Sequence, residues 1–136
     1  MEVRGGGTRS LNQLFGFIFG AVYVLVGIAG FFVTSGVDFA DTTGKDLLFF
    51  ELNPLHNIVH LAVGALLFGA AAAGPTASRN MNILVGVVYL LVGIIGFFII
   101  DSDADIIALN QPDNILHIVT GILALGIGLS RRTVPA

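Results

Sequence analysis

The chain has 136 residues, of which 55% are apolar and only 11% are charged. This composition excludes an ordinary water-soluble globular protein, and the length predicts a single domain over 1–136. Because cysteine is absent, disulfides, thiolate metal sites and cysteine nucleophiles are excluded as well. The formal net charge of −3 is small, so the placement of the charges is more informative than their sum.

Four apolar runs predict four transmembrane helices. In chain order they are Leu11–Val33, Pro54–Ala73, Asn82–Ile100 and Pro112–Leu129. At about 1.5 Å per residue, each run is long enough to cross a hydrocarbon core of roughly 30 Å. Helices are expected because no run shows the alternating pattern of a barrel strand. The predicted fold class is therefore all-α, an integral membrane four-helix bundle.

The first run carries small residues on one face. Gly20, Tyr23, Gly27 and Gly30 recur at spacings of three and four residues, which places them along one side of a helix. Small residues at this spacing allow helix backbones to approach closely in lipid. We therefore predict that this face packs against another helix.

The connection that follows, Thr34–Asn53, is the longest in the chain. Its segment Leu47–Leu52 is too apolar to lie free in water, so we predict a short helix or turn along the membrane interface. Asn53 is expected to cap the second helix, with Pro54 in its first turn, and Asn110 is expected to cap the fourth.

The second run carries polar side chains near its beginning. Asn57 and His60 share one face, and His56 lies one turn before His60, at the i to i+4 spacing that places two side chains together. Histidine is costly in a membrane span and rarely faces lipid, so these side chains should point into the bundle.

The third and fourth runs repeat the first and second. At a shift of 66 residues the third run reproduces the small-residue face as Gly86, Tyr89, Gly93 and Gly96. At a shift of 57 residues the fourth run reproduces the polar face as Asn114 and His117, with Asp113 in the position of His56. The two copies cover about 11–73 and 82–129.

Each copy contains two spans, so both copies enter the membrane in the same direction. We therefore predict two tandem helical hairpins related by a pseudo-twofold axis along the membrane normal.

Basic and acidic residues fall on opposite sides of these four spans. One side holds Arg4, Arg9, Arg79, Arg131 and Arg132. The other side holds Lys45 together with Asp38, Asp41, Asp46, Glu51, Asp101, Asp103, Asp105 and Asp113. The positive-inside rule then predicts a multi-pass protein of the cell inner membrane with both termini cytoplasmic.

Three interpretations of the polar residues of the second and fourth helices remain open. In the first, Asn57, His60, Asn114 and His117 form hydrogen bonds across the bundle and hold it together. In the second, His60 and His117 bind a metal ion with help from His56 and Asp113, or they are axial ligands of a tetrapyrrole, so the cofactor is unknown. In the third, an oligomer conducts protons or ions past the two histidines.

The sequence contains no phosphate-binding glycine loop and no serine or cysteine beside a histidine base. We therefore predict that the protein is not an enzyme. The arginines are too scattered to predict nucleic-acid binding. The expected partners are the lipid bilayer and other membrane subunits or copies of the chain itself.

Two related motifs carry a family resemblance. They are Leu-Asn-Pro-Leu-His-Asn-Ile-Val-His-Leu at 52–61 and Gln-Pro-Asp-Asn-Ile-Leu-His-Ile at 111–118. With Tyr-x-x-x-Gly-x-x-Gly-Phe in the first and third helices, they resemble a family of small bacterial membrane proteins, domain of unknown function 4383, from Leu11 to Leu129. The resemblance implies a four-helix membrane protein of unassigned activity. The function we predict is a non-catalytic structural or accessory module of the membrane or of a larger membrane complex.

Overall fold

The fold comes from a computed structural model that describes residues 8–130. Its elements are α1 (Leu11–Val33), β1 (Lys45–Leu47), β2 (Phe50–Leu52), α2 (Pro54–Ala73), α3 (Pro75–Ile99) and α4 (Gln111–Leu129). All four helices are long and apolar enough to cross a membrane. The prediction of four transmembrane helices is confirmed at this level, and the chain is a multi-pass membrane protein.

Side-chain caps begin three of the helices. Ser10 accepts a hydrogen bond from the Gln13 backbone at the beginning of α1. Asn53 accepts from the His56 backbone at 2.8 Å, and Asn110 accepts from the Asp113 backbone at 3.0 Å. These bonds satisfy backbone N–H groups that have no partner within the first turn of a helix. Capping by the two asparagines, predicted from the sequence, is confirmed.

Helix α3 begins at Pro75, seven residues before the apolar run that predicted it. The connection from α2 is the single residue Gly74, whose φ of +131° favours glycine. The Ser78 hydroxyl bridges the two helices by donating to the Gly74 carbonyl at 2.8 Å and to the Ala70 carbonyl at 3.2 Å. The first two turns of α3 are polar, so hydropathy alone did not mark them as helix.

The segment 47–52 forms a turn, but within a β-hairpin that the sequence did not predict. Strands β1 and β2 pair antiparallel with Lys45 opposite Leu52. The turn between them contains Leu48 at φ 60°, and two-residue hairpin turns favour such positive φ values because their twist matches that of the strands. Leu52 is fully buried, whereas Leu48 and Phe49 are exposed. The fold is therefore helical except for this hairpin.

Helix packing is strongest within the pairs α1–α2 and α3–α4, and weaker contacts join α2 to α3 and α1 to α3 and α4. The glycine faces lie at the strong contacts. A Cβ added to Gly20 would come within 2.7 Å of the Phe68 backbone nitrogen, and one added to Gly86 within 2.6 Å of the Leu125 nitrogen. Helices α2 and α4 therefore lie diagonally across the bundle in residues 8–130, and the rings of His56 and His117 approach each other between them.

The bundle has two distinct ends. The loop end contains residues 34–53 and 100–110, and the terminal end contains the beginnings of α1 and α3 and the ends of α2 and α4. At the loop end, Asn53 Nδ2 donates to the carbonyls of Asp41 and Ile106, each at 2.8 Å. These bonds join the two loops to each other over the end of the bundle.

Candidate functional site

Three histidines meet inside the bundle at the loop end. His56 and His60 come from α2 and His117 comes from α4, and they are only 1%, 6% and 5% exposed. One potential ligand atom from each of the three lies within 4.8 Å of the others. The His56 ring centroid is 4.5 Å from that of His60 and 6.0 Å from that of His117. We call these three residues the histidine cluster.

The local sequence accounts for part of this geometry. His56 and His60 are one helical turn apart, so their rings lie on one face of α2. His60 and His117 each lie seven residues after an asparagine cap, which sets them at the same depth in α2 and α4. What the sequence did not reveal is that His56 joins the other two as a full member, because nothing in it showed that α2 and α4 face each other.

Asp113, the fourth candidate ligand, lies beside the cluster but is not part of it. Its carboxylate accepts from the Asn110 backbone at 3.4 Å. Among the residues the structure describes, the group with metal-ligand spacing contains the three histidines alone. Asp113 is nevertheless buried and lines the same cavity as His60.

Most of the ring nitrogens of the histidine cluster lack a hydrogen-bond partner. Among the described residues, none bonds to Nδ1 or Nε2 of His56, to Nδ1 of His60 or to Nδ1 of His117. A buried polar atom without a partner costs about 1–3 kcal/mol. The cluster is thus poorly hydrogen-bonded. Its imidazole nitrogens, however, have free lone pairs with which they can bind a transition metal.

The asparagines of the same helices behave differently from each other. Asn57 Nδ2 donates to the Thr34 hydroxyl at 3.0 Å, which ties α2 to the end of α1. Neither side-chain polar atom of Asn114 has a partner among residues 8–130, because the residue at the position of Thr34 is Ile100, which has no hydroxyl. Both amides pack directly on glycines, since a Cβ on Gly30 or Gly96 would overlap them.

Two tyrosines lie next to the histidines towards the middle of the bundle. The ring centroid of Tyr23 is 5.5 Å from that of His60, and that of Tyr89 is 5.0 Å from that of His117. The two tyrosine rings meet edge to face at 5.5 Å, a favourable arrangement for aromatic pairs. They close the site on the side of the bundle core.

The loops close the site on the opposite side. Leu52, Ala108 and Leu109 are buried there. Asp105 holds this loop, since both of its carboxylate oxygens accept from the Leu109 backbone N–H, at 2.9 and 2.8 Å. Burial raises the pKa of Asp105 above its ordinary value, against the opposing effect of the bond from Leu109. The loop end therefore separates the histidine cluster from water.

A cavity of about 190 Å³ lies between α1 and α4, next to the cluster. Its polar lining consists of Tyr23, His60, Asp113 and Thr120, and the remaining lining is apolar. Exposed apolar residues that line it, Val22, Leu48 and Leu116, lie where lipid would contact the helices. The cavity therefore connects His60 and Asp113 with the lipid-facing surface.

Comparison with known proteins gives one match. The profile of a family described as a domain of unknown function (DUF4383) matches residues 13–130, in agreement with the resemblance of the motifs. No curated protein and no solved structure matches the chain.

Proposed function

Because the chain belongs to the DUF4383 family, whose description assigns no activity, we propose a function from the site itself. The protein is a small multi-pass membrane protein that binds one transition-metal ion through His56, His60 and His117. The observation that carries this proposal is the approach of three buried imidazoles whose ligand atoms lie within 4.8 Å of one another.

The cluster needs only a small contraction to hold an ion. Imidazole nitrogens bind zinc at about 2.0–2.1 Å, so three such ligands lie about 3.3–3.6 Å apart around one ion. From a separation of 4.8 Å, the binding of an ion therefore requires the ligand atoms to move together by about 1.2–1.5 Å at most. One nitrogen of each ring then gains a partner in the ion.

A bare ion fits the cluster better than a tetrapyrrole does. Axial ligation by His60 and His117 would require a flat macrocycle between their two rings. The His56 ring lies close to both, with its centroid 4.5 Å from that of His60 and 6.0 Å from that of His117, which favours a single ion shared by three imidazoles. The adjoining cavity, at about 190 Å³, is also below the range of roughly 300–1,000 Å³ that is usual for sites of larger ligands.

The proposed role is accessory and not catalytic. The protein holds an ion within the bacterial inner membrane, in contact with the lipid bilayer and with other membrane subunits or a second copy, and it binds no nucleic acid.

Its two helical hairpins form an internal repeat about a pseudo-twofold axis, which the 66-residue and 57-residue shifts support.

The loop end faces the outside of the cell in this proposal. Arg9 and Arg79 support it because both lie at the terminal end, which the positive-inside rule assigns to the cytoplasm. Arg4, Arg131 and Arg132, which contributed to the same prediction, lie outside the described residues.

A structural role for the polar residues is the second candidate. The bond from Asn57 to Thr34 favours it, as does the bond from Asn82 Nδ2 to Asn12 Oδ1 at 2.9 Å. In this alternative the histidines only fill the centre of the bundle.

Metal analysis of protein purified in mild detergent, with an absorbance spectrum, separates the two candidates. We expect one equivalent of metal in the wild type after reconstitution and none in the double variant His60→Ala, His117→Ala. The double variant Asn12→Ala, Asn82→Ala is the matched control, since it removes two buried polar side chains at the terminal end. If the folded wild type binds no metal, or if wild type and histidine variant bind equal amounts, the metal proposal is overturned and the structural role is favoured.

A further inference from the structure

We infer that the ion held by the histidine cluster is monovalent copper, Cu⁺. This inference rests on the proposed function and adds the identity and charge of the ion. It follows from three features of the site: the charge of its ligands, the charge that surrounds them and the number of ligands.

The ligands themselves do not neutralise an ion. Neutral imidazoles bind through a lone pair and add no charge, and among the described residues no carboxylate joins the three histidines. The cluster is buried, so the full charge of the ion must be accommodated away from water. In the Born description the cost of burying an ion rises with the square of its charge. A divalent ion therefore costs about four times as much as a monovalent one at this place.

The surroundings place one carboxyl group beside the cluster. Asp113 lines the cavity together with His60, and neither Glu51 nor Asp105 is among the residues that line it. Those two acids lie in the loops, where Glu51 accepts from the Gly44 N–H at 2.5 Å and Asp105 accepts from the Leu109 N–H. One ionised carboxylate balances Cu⁺ and makes the whole site neutral. A divalent ion would leave a net positive charge inside the membrane.

The number of ligands points to the same ion. Structural zinc is almost always four-coordinate and requires a fourth protein ligand or a water molecule. The described residues offer three histidines within ligand distance of one another, and the space beside them is lined mainly by apolar side chains. Cu⁺ is stable with three nitrogen ligands, and imidazole is among the ligands that suit copper. Three imidazoles in a water-poor site thus complete its coordination.

An anaerobic competition experiment on metal-free protein in detergent tests the inference. Cu⁺ is supplied from a coloured chelator whose absorbance reports transfer to the protein, and Zn²⁺ and Co²⁺ are titrated separately, with the visible bands of Co²⁺ reporting coordination. We expect one equivalent of Cu⁺ to bind, and Zn²⁺ and Co²⁺ to stay in solution at free concentrations that saturate the protein with Cu⁺. The His117→Ala variant should bind none of the three.

Variants of Asp113 test the charge balance. Asp113→Asn should weaken Cu⁺ binding about 10- to 100-fold, as is usual for partners just outside the ligand set of a metal. Asp113→Glu keeps the charge and should restore binding. The matched control Asp46→Asn removes one negative charge from the exposed strand β1 and should leave the affinity unchanged. Circular dichroism of each variant compares its total helical content with that of the wild type.

The outcomes separate this inference from the proposed function. Zn²⁺ or Co²⁺ binding as tightly as Cu⁺ at the histidines would overturn the copper assignment and leave a metal site of another kind. Unchanged Cu⁺ affinity in a folded Asp113→Asn variant would also overturn it, since the charge balance would then be irrelevant. Failure of all three ions to bind would instead overturn the proposed function itself.

Discussion

At the terminal end of the bundle, polar side chains are bonded to each other or to helix ends, and Asn82 Oδ1 is the exception among the described residues there. At the loop end, four ring nitrogens of the buried histidines have no partner among residues 8–130. Asn82 Nδ2 donates to the side chain and to the carbonyl of Asn12, at 2.9 and 3.1 Å. The half-buried Gln13 donates from Nε2 to the Ala71 carbonyl at 3.1 Å, and the exposed Arg79 donates from Nε to the Gly128 carbonyl at 3.0 Å. The histidine cluster is buried to a degree comparable with Asn12 and Asn82, but four of its ring nitrogens have no partner in residues 8–130.

This difference distinguishes two uses of polarity in a membrane protein. Polar groups that bond across helices contribute to the association of the helices, where water exclusion provides no driving force. Polar groups buried without partners weaken the fold unless something else binds them. The bonds between Asn82 and Asn12 therefore contribute to the association of the helices at the terminal end. In the proposed function, a metal ion supplies the missing partners of the histidines at the loop end.

The largest expected difference between the two ends appears on metal binding. Saturation at about 100 times the dissociation constant should raise the free energy of unfolding by about 2.7 kcal/mol, because only the folded state contains the site. Unfolding in detergent, with the ion and then with a chelator, measures this gain. The His117→Ala variant should lose it, and Asn82→Leu should keep it. A gain of equal size in the histidine variant would mean that the ion binds elsewhere.

Without metal, a substitution at the terminal end should destabilise the protein more than a substitution in the histidine cluster. Asn82→Leu removes both bonds to Asn12 and leaves that buried residue unpaired, so we expect a loss of about 1–2 kcal/mol. His117→Leu removes an imidazole whose Nδ1 has no partner among residues 8–130, so we expect a smaller loss of stability than for Asn82→Leu, or a gain. Unfolding of the two metal-free variants under one set of conditions gives the comparison. A larger loss in His117→Leu would show that the cluster stabilises the bundle without any ion.

The smallest expected effect is the pH dependence of stability caused by Asp105, a buried acid at the loop end that does have a hydrogen-bond partner. Burial raises its pKa in the folded state, so the folded protein binds more protons than the unfolded chain above the ordinary Asp value of about 3.9. By linkage, its contribution to stability falls as the pH rises through the interval between the ordinary and the raised pKa. Asp105→Asn should remove this slope.

Melting temperatures of wild type and Asp105→Asn across that interval measure the difference. The wild type should lose stability relative to the variant as the pH increases. A difference that stays constant with pH would mean that the Leu109 N–H fully offsets the burial of the carboxylate.

Much of the architecture could be predicted because it depends on local chemistry. The four apolar runs indicated the helices, and the asparagines at 53 and 110 indicated where α2 and α4 begin. Two local features were missed. The polar beginning of α3 at Pro75 carries no hydropathy signal, and the β-hairpin depends on a backbone turn at Leu48 that is uncommon for leucine.

The sequence by itself determined which residues are apolar enough to span the membrane and that His56 and His60 share one face of a helix. Only the tertiary structure decided that His117 meets them, since the glycine contacts hold α2 against α1 and α4 against α3, and the meeting of α2 and α4 depends on how these two hairpins pack together. It also decided which polar groups found partners: Asn82 Nδ2 has Asn12 opposite, whereas four ring nitrogens of the histidines have no hydrogen-bond partner among residues 8–130. Spacing along a chain specifies a helix face, whereas the neighbours of that face depend on the packing of the whole bundle.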